Sequence, residues 1–222
     1  MPETTPNPRS VKRSTAQYWS LIHTERSRIA DVAEDLTADQ LRTQSLCQAW
    51  TGEYVVAHLS AAANTGRFAW LASMARSRFH ADRHNARQLA RYLGDTPEET
   101  VHTFRRLVPS TVAPTKDYGA WLGEVIVHGQ DIAVPLGVDL APSRAAVSEV
   151  ATYFTTKDFA VNSYSLVQDL KIEALDDDFH VGTGPAVRGN LLPLVMTMAG
   201  RPQYLDQLKG DGVAELERRL RG

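Results

Sequence analysis

One cysteine in 222 residues, Cys47, leaves nothing for it to pair with inside the chain. That excludes a disulfide-stapled scaffold and suits a reducing cytoplasm. An excess of charge is missing too: 24 basic and 26 acidic side chains leave a formal net charge of −2, which supplies no global field for nucleic acid or an anionic membrane. The opening "MPETTPNPRSVKRS" has no apolar core, so it is expected to be a frayed lead-in rather than a signal peptide or membrane span. No G-x-S-x-G occurs, and Cys47 has no base close to it in sequence, so a protein-borne nucleophile has little support. The glycines of "GTGPAVRG" at 182–189 lack the spacing of a dinucleotide loop and predict a turn. Asp176, Asp177 and Asp178 lack the ligand spacing of a calcium loop and predict an exposed hairpin tip.

What is present is an ordinary globular composition, 43% hydrophobic and 23% charged, with apolar residues recurring at helical intervals. Tyr18, Leu21, Ile22, Ile29, Val32, Ala33 and Leu36 predict a first helix over 14–36. Thr51 caps a second that runs from Gly52 to about Arg76. A third region is split into "ARQLARYL" and "TPEETVHTFRRLV", the latter opened by Thr96 as cap, Pro97 in the first turn and Glu99 completing a capping box. A fourth helix spans Lys116 to Val134 and stops at "PLG". Four amphipathic helices with mostly short connections predict an antiparallel bundle over residues 1–150. The pattern then changes: "PSRAAVSEVATYFTTKDF" reads as a fifth helix or a link. "LKIEALDDDFHVGTG" reads as strand, turn, strand, and two short helices follow, so residues 151–222 predict a small α+β domain. The fold class is mainly α.

The fourth helix contains "GEVIVHGQDIAVPLG", where Glu124 and His128 lie one turn apart on one face and Asp131 continues the stripe among aliphatic neighbours. A carboxylate in such surroundings is costly unless it is paired or holds a cation. The second helix offers a third donor, His58 in "EYVVAHLSAA". Adjacent helices of a bundle can bring His58 opposite Glu124 and His128. Two imidazoles and a carboxylate suit Zn²⁺ with one position left open, and the same set takes Fe²⁺, Mn²⁺ or Ni²⁺. Asp131 has several tasks open to it: orienting a ligand, holding a water, contacting substrate, or capping the loop that follows. A rival pair, His80 and His84 in "HADRH", sits in a polar stretch with Arg76, Arg78, Arg83, Arg87 and Arg91, and reads as a solvated face. Trp50, Trp70 and Trp121 read as core or pocket-wall aromatics. From the residues alone two classes stay open: a metal-dependent enzyme, as in hydrolysis by bound water, and a non-enzymatic metal- or ligand-binding protein.

"TERSRIADVAEDLTADQLRTQSLCQAWTGEYVVAHLSAA" and "WLGEVIVHGQDIAVPLG" together resemble the mycothiol-dependent maleylpyruvate isomerase family, a branch of the DinB-like four-helix metalloproteins. "GTGPAVRGNLLPLVMTMAGR" and "LKGDGVAELERRL" resemble that family's small C-terminal domain. The resemblance implies a divalent metal, usually zinc, on His58, Glu124 and His128, working with mycothiol as a low-molecular-weight thiol. It further implies that the C-terminal domain supplies an arginine to the substrate, matched here by Arg201 in "AGRP", with Arg188 as the weaker match. Arg201, from this resemblance, and Asp131, from its place in the polar stripe of the fourth helix, are the expected catalytic residues. The partners it implies are an electrophile or unsaturated acid and the thiol. The reaction is isomerisation or S-transfer, and the chain is a monomer or homodimer.

Overall fold

A computed structural model describes residues 13–48, 50–66, 89–159 and 161–221. Its two compact units are Thr15–Pro142 and the chain from Ser143 onward, the latter joined by Arg13 and Ser14.

In the first unit α1 spans Thr15–Asp35, α2 Ala38–Leu41, α3 Gly52–Asn64, α4 Pro97–Leu107 and α5 Tyr118–Ala133. The four longer helices pack in a ring: α1 touches α5 and α4, and α3 touches those same two. Each therefore turns an apolar stripe to a common centre, filled by Ile22, Ile29, Val55, Val56, Leu59, Phe104, Leu122 and Ile126. Local signals set the ends. The Thr51 hydroxyl accepts the Tyr54 N–H to start α3, and Thr96 accepts from Glu99 with Pro97 in the first turn of α4. Glu99 departs from the expected box: its carboxylate takes the N–H of Asp95, one residue ahead of the cap. α5 runs into a 3₁₀ turn, Val134–Leu136, and stops where Gly137 adopts φ 63°, a left-handed conformation that glycine takes at no steric cost. Gly129 has a different purpose. A Cβ there would lie 3.0 Å from Cδ1 of Ile29, so its bare backbone lets α1 approach α5 closely. The second helix stops at Asn64, where the backbone of Thr65 is extended, short of the expected end near Arg76; the chain from 67 to 88, with the pair His80 and His84 and Arg76, Arg78, Arg83 and Arg87, lies outside the described residues.

The second unit holds α6 Arg144–Phe154, α7 Ser163–Val167, strands β1 Lys171–Ala174, β2 His180–Val181 and β3 Ala186–Gly189, α8 Leu191–Met198 and α9 Val213–Arg221. A 3₁₀ helix, Pro202–Gln207, lies between α8 and α9. The sheet order is β2-β1-β3, with β1 antiparallel to β2 and parallel to β3. Ile172 and Val187, opposite each other in register, are buried together with Leu194, Val195 and Met196 of α8.

Three expectations are revised here. Half of the glycine-containing run 182–189 is strand β3 rather than turn; only four residues long, it offers too little alternation to be read as a strand. The aspartates of 176–178 are more than an exposed tip: Asp176 accepts the Leu191 N–H at the start of α8, and Asp177 accepts from Arg144 and Ser148 of α6. The division between units falls at Pro142/Ser143 instead of residue 150, because α6 packs against α8. Among the described residues no helix is long and apolar enough to cross a membrane.

Candidate metal centre

α3 and α5 are neighbours in the ring, and this adjacency brings His58 to Glu124 across sixty-odd residues of chain. Nε2 of His58 lies 2.8 Å from Oε1 of Glu124. His128, one turn further along α5, completes a cluster in which one donor atom from each of His58, Glu124 and His128 lies within 4.8 Å of the others. All three side chains are mostly buried yet retain 14–18% exposure, so the cluster is reachable.

Asp131 has no exposed surface, and its Oδ2 stands 2.9 Å from Nδ1 of His128. With an ionised carboxylate the ring nitrogen donates, so Nδ1 carries the proton and Nε2 keeps the lone pair that could accept a cation. Of the tasks open to Asp131 in sequence, orienting His128 is the one the hydrogen bond supports. Its backbone carbonyl also accepts the Leu46 N–H, which ties the loop before α3 to α5.

That loop carries Trp50. Its carbonyl receives the side-chain amide of Gln44 and the hydroxyl of Ser45, each at 2.7 Å. The indole ring so placed lies 4.6 Å from the His58 ring and 5.9 Å from the His128 ring, while the two imidazoles meet edge-on at 5.0 Å. Trp50 is thus a wall of the cluster. Trp121 donates to the Thr115 carbonyl, and Trp70 lies outside the described residues.

The charges are arranged against burial. Burial acts to raise the Glu124 carboxyl, but the His58 hydrogen bond and the positive potential of His58, His128 and Arg26 outweigh it and hold the group below its ordinary range. Burial pushes the His128 imidazole down, and the Asp131 hydrogen bond recovers only part of that shift. His128 is therefore neutral near pH 7, the state a ligand needs. Two imidazoles and one carboxylate converging with an oriented tautomer fit a divalent cation such as Zn²⁺, without distinguishing it from Fe²⁺, Mn²⁺ or Ni²⁺.

Arg26 escaped the sequence reading. It lies on α1, 3% exposed, and donates to the Ser110 carbonyl at 2.9 Å. Burial pulls its pKa down to about 10, against an upward pull from Glu124. The signal was available: Ile22, Arg26, Ile29 and Ala33 fall at helical spacing on one face, so an arginine occupies the apolar stripe. The other expected residues lie in the second unit. Arg201 precedes its 3₁₀ helix and donates to the Ala199 carbonyl. Arg188 is exposed on β3 and pairs with Glu173.

Residues 22–117 match the model of the mycothiol maleylpyruvate isomerase N-terminal domain. No curated protein matches the chain. Among solved structures, the mycothiol-dependent maleylpyruvate isomerase superposes with a TM-score of 0.63 at 13% identity, covering 90% of this chain and 93% of that one. A histidine-to-alanine variant of the mycothiol-dependent maleylpyruvate isomerase gives the same TM-score and coverage at 12% identity. Residues 22–117 are therefore similar to the mycothiol maleylpyruvate isomerase N-terminal domain, and the chain shares the fold of the mycothiol-dependent maleylpyruvate isomerase.

Proposed function

We propose that this chain is a cytoplasmic, divalent-metal-dependent enzyme that uses mycothiol as cofactor or co-substrate for a maleylpyruvate isomerase-like cis–trans isomerisation or an S-transfer. The observation that carries the reading is the convergence of His58, Glu124 and His128, the first within the segment that matches this family's N-terminal model and the other two on the helix just after it. A cation there supplies Lewis acidity that favours a thiolate over a thiol, and mycothiol supplies the nucleophile.

The chain's own residues do the rest. His58, Glu124 and His128 hold the cation, and zinc is the ion their types suit best. Asp131 fixes the His128 tautomer, a positioning task in place of the substrate contact that its place in the polar stripe allowed. Trp50 covers one side of both imidazoles and limits water there. Arg201, matched through the C-terminal resemblance, binds a carboxylate or developing oxyanion of the substrate.

The test is incubation of Zn²⁺-loaded protein with mycothiol and a panel of unsaturated acids and electrophiles, followed by absorbance and mass spectrometry. Isomer or thioether should form only when metal and thiol are both present. Turnover that is indifferent to thiol would overturn the reading in favour of chemistry on bound water.

A further inference from the structure

The chain entering α3 folds back on itself beside the metal cluster. Gln44 and Thr51 form an isolated antiparallel bridge, and the Gly52 N–H reaches the Thr43 carbonyl at 3.0 Å. Within that turn the Trp50 carbonyl accepts from the Ser45 N–H at 3.1 Å, and from the Ser45 hydroxyl and the Gln44 side-chain amide at 2.7 Å each. The Ser45 hydroxyl in turn accepts the Cys47 N–H at 3.1 Å, and Ser45 is 7% exposed, so water competes little for these bonds. Donors converging on one oxygen pin the Trp50 peptide, and the pinned peptide fixes the point from which the indole projects.

A gap in the hydrogen bonding of α5 anchors the same turn. In a regular helix the Asp131 carbonyl would accept the N–H of residue 135, but that residue is proline and has none. The Val134 N–H already serves Gln130, and the Leu46 N–H takes the Asp131 carbonyl at 3.1 Å. One short turn therefore reaches both histidines. The Trp50 ring lies 4.6 Å from that of His58 and 5.9 Å from that of His128, and Leu46 holds the backbone of the aspartate that orients His128. Rings held in place before an ion arrives lose less freedom when it binds, which strengthens binding.

We infer that Gln44 and Ser45 are positioning residues of the metal centre: they hold the Trp50 peptide so that its indole fixes the His58 and His128 rings. The inference rests on the proposed metal site and deepens it, because it assigns the loop before α3 a part in metal affinity. Both residues act through Trp50 and not on the ion.

The experiment titrates the full chain with Co²⁺ against a competing chelator, with urea unfolding of the metal-free protein as the measure of stability. S45A should bind Co²⁺ roughly tenfold more weakly, the low end for an outer partner of a metal ligand, and Q44A roughly threefold more weakly. Q44A removes an exposed amide, so it carries the test if S45A does not fold. W50L shows whether the effect passes through the indole. W50L alone should weaken binding, and adding S45A to it should cost no more than about a further twofold. A merely structural role would lower stability and leave the Co²⁺ affinity of the folded variants alone. Wild-type Co²⁺ affinity in folded S45A or Q44A, or a tenfold loss from S45A that persists in the W50L background, would each overturn the inference. Failure of the wild-type chain to bind Co²⁺ would overturn the metal reading itself, and this inference with it.

Discussion

Replacing Asp131 tests how the centre is held. Its Oδ2 accepts from Nδ1 of His128 at 2.9 Å with the carboxylate fully buried, so D131A strands a buried ring N–H. Two costs follow. The metal-free protein loses about 1–3 kcal/mol, the penalty of an unmade buried hydrogen bond plus a small cavity. Metal affinity falls because His128 is freed to rotate and to protonate the wrong nitrogen; loss of such an outer partner weakens binding about 10–100-fold, or about 1.4–2.7 kcal/mol. D131N separates orientation from charge. Its carbonyl can still accept from Nδ1, but the bond is no longer charge-assisted, so D131N should fall between wild type and D131A. Zn²⁺ affinity is measured by competition with a chromophoric chelator, and stability by urea unfolding of the metal-free protein. A folded D131A that binds Zn²⁺ as tightly as wild type would refute the argument that Asp131 orients a ligand.

The remaining predictions concern the ligands, pH, a glycine and the thiol. H58A and E124A should each lose stoichiometric metal; full metal content in both by elemental analysis would remove the site assignment. The metal-free protein should lose stability as pH falls below about 6.5, because the unfolded chain protonates His128 at its ordinary value while the folded imidazole resists, and a further loss should follow below about 4.5 as Glu124 is forced to protonate. H128Q should remove the first phase in a pH series of melting curves, and an unchanged profile would contradict the assigned burial effect. G184A places a Cβ 2.2 Å from the Asp169 carbonyl oxygen at φ 124°, and should destabilise the C-terminal unit by at least about 2 kcal/mol, read from its unfolding transition. C47S should retain most activity, since the thiol in the proposed reaction is external; loss of turnover with metal retained would make Cys47 a participant.

Periodicity and capping chemistry act within a few residues, and for that reason the helices of the bundle, the Thr51 and Thr96 caps and the Gly137 stop were legible in the sequence. So was the Glu124/His128 pair, because one helical turn alone puts the two residues on one face. His58 could be nominated from its apolar neighbours, but only the packing of α3 on α5 sets its Nε2 beside Glu124. Asp131 had several tasks by spacing, and the direction of one side chain reduced them to His128. Arg26 was overlooked because a single charged residue in an amphipathic helix is ordinarily at the surface, and its burial arises from α1 packing against other helices. β3 and the Pro142/Ser143 division were equally out of reach: a four-residue strand exists through its pairing with β1, and α6 belongs to whichever unit its apolar face touches. Local chemistry settled which segments are helical and which side chains could hold a cation. Long-range packing decided which of them meet, since contacts between distant residues depend on how the helices associate and leave no periodic trace along the chain.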